Sequence, residues 1–161
     1  MCMCVYAEVE TATVGNGFSP FAGTKMYIST SDGSVFSRAG LSRGNPRGST
    51  WVRVPAAPPL TYVKLGGPYG AAWGVSSTQR ASGGYTAFYE NYFTGSWVGT
   101  SFGVRSLDIG GPAGQVWGVN SSNLAFYRPF ANPTFPGYSW LAVGSFPVIL
   151  FSQVRFMHLY N

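Results

Sequence analysis

The sequence is poor in charge and in the side chains that most often perform chemistry. Charged residues make up 9% of its 161 residues, against about 25% in an average soluble domain. The single histidine, His158, excludes a multi-histidine metal site, and the five carboxylates are scattered, so no pair is placed for acid–base catalysis. No phosphate-binding glycine loop and no nucleophile elbow is present. We therefore predict no enzyme activity, no bound metal and no cofactor.

Cysteine is also scarce, and neither a leader nor a membrane span is apparent. Cys2 and Cys4 stand so close together that a bridge between them would be strained, so they form no disulfide framework. The N-terminus lacks a basic start, and Glu8 and Glu10 interrupt its apolar run, so we expect no signal peptide. No run approaches the roughly 18 apolar residues of a membrane span. The expected location is cytoplasmic, unconventionally secreted, or that of a mature secreted fragment; the sequence leaves these three open.

Aromatic residues, glycine and proline are abundant instead. Aromatics make up 17% of the chain, with 22 glycines and 11 prolines spread along it. Many short strands separated by many turns produce this composition, so we predict an all-β fold.

The net charge is +5, and half of the ten basic residues lie in one region of the chain. These are Arg38, Arg43, Arg47, Arg53 and Lys64. The region favours acidic partners or is an ordinary solvated basic surface. Because no nucleic-acid-binding motif accompanies the charge, we predict no nucleic-acid partner.

An internal repeat is the clearest feature of the sequence. The segments 73–77 and 117–122 both begin Trp-Gly-Val, and their tryptophans are 44 residues apart. A double glycine begins seven residues before each tryptophan, at Gly66 and Gly110, after a short apolar strand. Matching spacing on both sides of a turn indicates a repeated structural unit.

A second tryptophan recurs with a similar period. Trp51, Trp97 and Trp140 are 46 and 43 residues apart, and each is followed by a strand-like segment. The segment 27–38 aligns without gaps on 117–128, so the first unit is a degenerate copy. The second unit carries an insertion at 78–84, which predicts an enlarged surface loop. We place the repeats near 5–45, 46–90, 91–134 and 135–161, the last one short, within a single domain 1–161.

A four-stranded repeat of 40–45 residues is typical of a propeller blade. We therefore predict an all-β β-propeller of about four blades. The last blade is incomplete, or is completed by the N-terminal strand at 1–5 or by a partner chain, because an exposed strand edge invites pairing. A β-trefoil is the main alternative, but it needs three similar units.

The repeat resembles the tectonin repeat of the tachylectin-related β-propeller lectins, which include the fish-egg lectins. The resemblance is closest at 115–120, Gln-Val-Trp-Gly-Val-Asn, followed by Phe-Tyr-Arg at 126–128. It is strong over 46–134 and weak at both ends. The resemblance implies a propeller fold and glycan binding at sites repeated around the ring. This chain departs from the family in having fewer predicted blades and in lacking the Trp-Gly-Val-Asn motif in its first and last units.

The predicted function is that of a carbohydrate-binding lectin. It would recognise galactose- or N-acetylglucosamine-type glycans or microbial surface sugars through shallow repeated sites, with innate defence as one setting. The alternative is a non-catalytic structural or assembly protein that uses the propeller for protein–protein contacts. The expected partners are accordingly glycans or glycoconjugates, and a homo-oligomer or larger assembly.

Aromatic and hydrogen-bonding side chains of the repeat are the predicted binding residues. Aromatic rings stack on the C–H faces of sugars, and amide and guanidinium groups pair with hydroxyls. The predicted carbohydrate-binding residues are Trp51, Trp73, Trp97, Trp117, Asn120, Tyr127, Arg128 and Trp140. Each also has a structural interpretation: the tryptophans as packing between blades, Asn120 as a turn residue and Arg128 as a solvated strand end.

Overall fold

The computed structural model describes residues 9–15, 25–66, 70–91, 93–110, 114–132 and 135–147. All regular secondary structure in these ranges is β-strand, and they contain no helix long and apolar enough to cross a membrane. The strands are β1 (Val9–Gly15), β2 (Lys25–Thr30), β3 (Val35–Arg38), β4 (Trp51–Arg53), β5 (Leu60–Gly66), β6 (Ala71–Gln79), β7 (Tyr85–Glu90), β8 (Trp97–Val104), β9 (Ser106–Gly110), β10 (Gln115–Val119), β11 (Leu124–Arg128) and β12 (Leu141–Pro147).

These strands form three antiparallel sheets of four strands each. Sheet 1 contains β1–β4, sheet 2 contains β5–β8 and sheet 3 contains β9–β12, and in each sheet every strand pairs with the next one in the chain. Short meanders of this kind follow from the frequent turns, because consecutive strands pair most readily. The predicted all-β propeller class is confirmed, with three sheets among the described residues.

The sheets are offset from the sequence repeats by one strand. Trp51 and Trp97 begin β4 and β8, and Trp140 directly precedes β12, so each tryptophan strand closes a sheet and does not open the next. The strand of the fourth repeat is therefore β12, which pairs with β11 and completes sheet 3. The segments 1–5 and 148–161, on which closure of a fourth blade was predicted to depend, lie outside the described residues.

The second and third strands of the three sheets share one register. The aromatic residue of each second strand pairs with the third strand at the same relative position. These pairs are Tyr27 with Ser37, Trp73 with Tyr89, and Trp117 with Tyr127. One residue later, Arg38 pairs with Trp51 and Glu90 pairs with Trp97.

Two hairpin turns join the second and third strands of sheets 1 and 2. In sheet 1, Gly33 has φ 81° and its N–H donates to Thr30 O at 2.8 Å, a conformation that glycine permits. In sheet 2, the predicted loop at 78–84 is partly strand, because β6 continues to Gln79. The turn there is confined to 80–84, where Arg80 N–H donates to Gly84 O at 2.9 Å.

The core lies between the sheets. One buried cluster joins sheets 1 and 2 and consists of Tyr27, Val35, Leu60, Val63, Ala72 and Trp97. A second joins sheets 2 and 3 and consists of Ala71, Trp73, Val75, Ala87, Val104, Leu107, Val116 and Ala131. The first strands of sheets 2 and 3 approach closely, since a Cβ at Gly66 would lie 2.8 Å from Ile109 O. Glycine at this position therefore allows the sheets to meet.

Candidate functional site

In sheets 2 and 3, the tryptophan at the closing strand packs against an aromatic ring of the preceding sheet. Trp97 of sheet 2 meets Tyr27 of sheet 1 edge to face, with ring centroids 6.3 Å apart. Trp140 of sheet 3 meets Trp73 of sheet 2 in the same way at 6.2 Å. Edge-to-face geometry is favoured between aromatic rings. These tryptophans therefore join neighbouring sheets.

Burial separates the predicted sugar-binding tryptophans into two groups. Two of them are buried, and the other three, Trp51, Trp117 and Trp140, are exposed or partly buried. Trp73 and Trp97 are 1% and 9% exposed, so their rings present no face to a ligand at the surface. Their position between sheets agrees with the packing interpretation. Trp51 is 38% exposed. Trp117 is partly buried and stacks on Tyr127 with centroids 5.4 Å apart.

Asn120 organises the turn between β10 and β11. Its Oδ1 accepts hydrogen bonds from the N–H groups of Ser122 at 3.0 Å and Leu124 at 2.9 Å. Asn123, at φ 61°, completes the turn, and its Oδ1 accepts a bond from Arg105 Nη1 at 2.8 Å. The Asn120 side-chain oxygen thus serves the backbone, as the turn interpretation predicted.

Arg128 ties the connection between β11 and β12 to the sheet interface. Its Nε donates to Pro136 O at 2.8 Å and its Nη2 donates to Gly137 O at 3.3 Å. The guanidinium carbon lies 5.8 Å from the ring centroid of Trp73 and 6.0 Å from that of Trp140. Desolvation lowers the pKa of Arg128 from its ordinary value. Arg128 is therefore an anchor for this loop and not a solvated strand end.

The same position holds Arg38 in sheet 1 and Glu90 in sheet 2. Arg38 Nε donates to Arg47 O at 2.9 Å, which repeats the anchoring role of Arg128. Glu90 instead accepts a hydrogen bond from Tyr27 Oη at 2.8 Å and forms an ion pair with Lys25 Nζ at 2.8 Å. Burial first, and then the Glu90 charge, raise the pKa of Tyr27. Glu90 thus joins sheet 2 to sheet 1.

Two equivalent indole N–H groups have no acceptor among the described residues. They are Nε1 of Trp97 and Nε1 of Trp140, and both atoms are buried. A buried donor without an acceptor is costly and uncommon in folded proteins. The packing of these tryptophans therefore uses their rings and leaves their polar atoms without a partner in this part of the chain.

An exposed aromatic cluster lies on the loop at 129–139, which Arg128 anchors. Phe130, Phe135 and Tyr138 are 55%, 39% and 62% exposed. Tyr138 contacts both phenylalanines edge to face, at centroid distances of 5.8 Å and 5.4 Å. We call these three residues the aromatic cluster. They form a contiguous aromatic surface that faces solvent in the described structure.

The backbone of Phe130 is unusual. Its φ is 61°, in the left-handed region that large side chains rarely adopt. The equivalent residue of sheet 1 is Gly40, at φ 66°, for which this conformation carries no steric cost. A strained residue kept in place of glycine is a reason to suspect a function for its side chain.

The equivalent loops of the other two sheets have different chemistry. The loop at 39–50 of sheet 1 has no aromatic residue and carries Arg43 and Arg47. The loop at 91–96 of sheet 2 has the aromatic residues Tyr92 and Phe93 in its sequence, and Phe93 is strongly exposed. The aromatic cluster lies outside the positions that the repeats share, so the repeat pattern does not indicate it. The sequence does contain a signal for it. The proline-rich loop at 129–139 has three aromatic residues, whereas the equivalent loop of sheet 1 has none.

The described residues contain no group of three histidine, cysteine, aspartate or glutamate side chains that could hold a metal ion. Repeated four-stranded antiparallel sheets, packed face to face through tryptophans at their closing strands, define a protein of the β-propeller class. A family model described as a propeller (Hyd_WA) matches residues 28–54, which run from β2 to the end of β4. This match supports similarity to propellers of the tectonin kind. A search of curated proteins found no match to the chain.

Proposed function

We propose that the protein is a non-catalytic lectin of the tectonin kind, which binds glycans on the aromatic cluster. The observation that carries the proposal is the exposure of three mutually packed aromatic rings on one anchored loop. Sugar rings present C–H groups that pack on aromatic faces, and a tyrosine adds a hydroxyl that donates and accepts hydrogen bonds. The ligand class is galactose- or N-acetylglucosamine-type glycans or microbial surface sugars.

One residue predicted from the sequence, Arg128, anchors the loop that carries this site. Arg128 fixes the loop through its bonds to Pro136 O and Gly137 O, and its guanidinium lies against Trp140. A preorganised loop favours binding because less conformational entropy is lost when the ligand arrives. The proposed role of Arg128 is therefore to position the site.

The proposed site is open and shallow, and it differs from the other loops of the chain. A single stacking surface of this kind supports only weak binding, with a Kd of about 1 mM, equivalent to about 4 kcal/mol. Binding to a cell surface would then depend on several sites acting together. Trp73 and Trp97 have no direct contact with sugar in this proposal, because both are buried between sheets.

Saturation-transfer NMR with methyl β-galactoside and N-acetylglucosamine, followed by a glycan array, tests the proposal. We expect signal transfer to at least one sugar, and we expect Tyr138→Ala to reduce it strongly. Phe93→Ala is the matched control, because it removes an exposed aromatic ring from the equivalent loop of sheet 2. Transfer that is equal in both variants, or no binding to any sugar of the array, would contradict the proposal.

An assembly protein is the second candidate function. The observation that favours it is the exposure of Trp51 and Val52 on the closing strand of sheet 1, whereas the equivalent Trp97 is buried. Trp51 is the exposed member of a set of tryptophans whose other members, Trp97 and Trp140, pack against a neighbouring sheet, so a protein surface could cover it in the same way.

A further inference from the structure

The loop at 39–50 of sheet 1 has the same backbone framework as the loop that carries the aromatic cluster. Ser42 and Asn45 form an isolated antiparallel bridge in the first loop, and Asn132 and Phe135 form one in the second. In both loops, Nε of the arginine that ends the third strand donates to a carbonyl group of the loop. The two sheets therefore present different side chains on one framework.

Hydrogen bonds cross the loop of sheet 1 from its base to its tip. At the base, Ala39 N–H donates to Thr50 O at 2.9 Å. Further out, Ser42 and Asn45 exchange two N–H···O bonds of 3.1 Å, so residues 43 and 44 form the tip. Side chains on a backbone that is already ordered lose less conformational entropy when a ligand binds.

Three arginines stand on this loop and at its base, and we call Arg38, Arg43 and Arg47 the basic loop. Arg43, at the tip, and Arg47 are exposed. Arg38 is held by the bond from its Nε to Arg47 O at 2.9 Å, and its guanidinium lies 5.2 Å from the ring centroid of Trp51. Within the described part of the chain, the two terminal nitrogens of Arg38 donate to no acceptor. The Arg38 guanidinium is thus held in place with N–H groups left for a ligand.

Within the ranges that the structure describes, no carboxylate forms an ion pair with the basic loop. The sequence has no aspartate or glutamate between Asp32 and Glu90, and Asp32 stands in the hairpin turn at the other end of β3. Glu90 is paired with Lys25 and Tyr27. Tyr27 lies opposite Ser37, so its side chain and that of the next residue, Arg38, project from opposite faces of sheet 1. The positive charge of the basic loop is therefore left for an external anion.

From these observations we infer that the basic loop binds a sulfated polysaccharide. A sulfate ester, like a phosphate, presents several oxygens that the planar guanidinium fork of arginine binds through paired hydrogen bonds. A sulfated polysaccharide carries such groups at short intervals, so one chain contacts more than one arginine. The surface is separate from the aromatic cluster, and the inference goes beyond the proposed function without depending on it.

The side chains of the loop favour a polysaccharide over two other polyanions. The outer part of the loop, 42–47, has no aromatic or large aliphatic side chain that would enter a lipid bilayer. It also has no aromatic ring on which the bases of a single-stranded nucleic acid would stack. What it offers is guanidinium groups alone, which suits a ligand recognised by its anionic groups.

Fluorescence anisotropy of the full chain with a labelled heparin octasaccharide tests the inference. We expect saturable binding that weakens as salt is added, because neutralising a polyanion releases its counterions. Arg43→Gln and Arg47→Gln should each weaken binding about tenfold and reduce the salt dependence by about one released ion. Arg105→Gln is the matched control, because it removes an exposed arginine whose guanidinium donates to Asn123 in the turn between β10 and β11. It should leave heparin binding unchanged.

The same assay identifies the ligand class. Chemically desulfated heparin should show no binding, and thermal melts verify that each variant is folded. No binding of heparin, or equal binding by a folded Arg43→Gln/Arg47→Gln double variant, would overturn the inference. Equally tight, arginine-dependent binding of phosphatidylserine vesicles or of single-stranded RNA would overturn the assignment to a polysaccharide.

Discussion

Replacing Phe130 by glycine and by alanine separates its cost to the fold from its proposed use in binding. Phe130 is held at φ 61°, and a left-handed backbone costs an L-residue roughly 1–2 kcal/mol. Its edge-to-face contact with Tyr138 stabilises the fold by about 0.5–1.5 kcal/mol. Both substitutions lose this contact, but only glycine also relieves the backbone strain.

We therefore expect Phe130→Gly to be within about 1 kcal/mol of wild type, although glycine gains entropy in the unfolded chain. Phe130→Ala keeps the strain and should be less stable than Phe130→Gly by about 1 kcal/mol, or roughly 2–4 °C in Tm for a chain of this size. Urea unfolding of the three proteins measures the differences. Both variants should lose sugar binding.

Gly40 provides the matched control in the equivalent loop of sheet 1. Gly40→Ala should cost about 1 kcal/mol or more, because it imposes the strain that Phe130 already carries and places a Cβ 3.0 Å from Ser49 Oγ. The reasoning is refuted if Phe130→Ala is as stable as Phe130→Gly while Gly40→Ala is destabilised. That result would show that the loop at 129–139 relaxes once the phenylalanine ring is gone.

Three further predictions concern the contacts between sheets. Gly118→Ala should destabilise the fold by about 1–3 kcal/mol in urea unfolding, since its Cβ would lie 3.2 Å from both Trp140 and Val104; Gly44→Ala, with nothing within 4 Å, should be near neutral. Glu90→Ala should lower the free energy of unfolding by about 2–3 kcal/mol in the same assay, because it removes the acceptor of Tyr27 and Lys25. Lys25→Met should lower it less, and an equal loss in the two variants would contradict this prediction. Burial raises the pKa of Tyr62 from 10.0 to about 12, so its contribution to stability is complete below pH 10 and is lost as the pH rises through 12. Tyr62→Phe should make the alkaline loss of stability shallower, and an unchanged slope would contradict the assignment.

The period of the fold was predictable from the sequence, but the boundaries of its sheets were not. Trp73 and Trp117 share their spacing to a double glycine, and their strands β6 and β10 occupy equivalent places. A period does not say where one sheet ends, so Trp97 could equally open or close a sheet. The hairpin pairing of β8 with β7 decides that it closes sheet 2.

The candidate site was less predictable than the fold. The side-chain contact between Glu90 and Lys25 spans 65 residues, and no local pattern indicates it. The burial of Trp73 depends on a neighbouring sheet, so the sequence left its sugar-binding and packing roles open. The aromatic cluster departs from the repeat, so the positions that the repeats share do not indicate it. Only the anchor of that loop, Arg128, stood at a repeated position.

A crystal structure of the protein soaked with methyl β-galactoside and N-acetylglucosamine tests the central claim most directly. We expect a sugar ring against Phe130 and Tyr138, with Arg128 still bonded to Pro136 O and Gly137 O. A sugar bound elsewhere on the propeller, with the aromatic cluster exposed and empty, would contradict it.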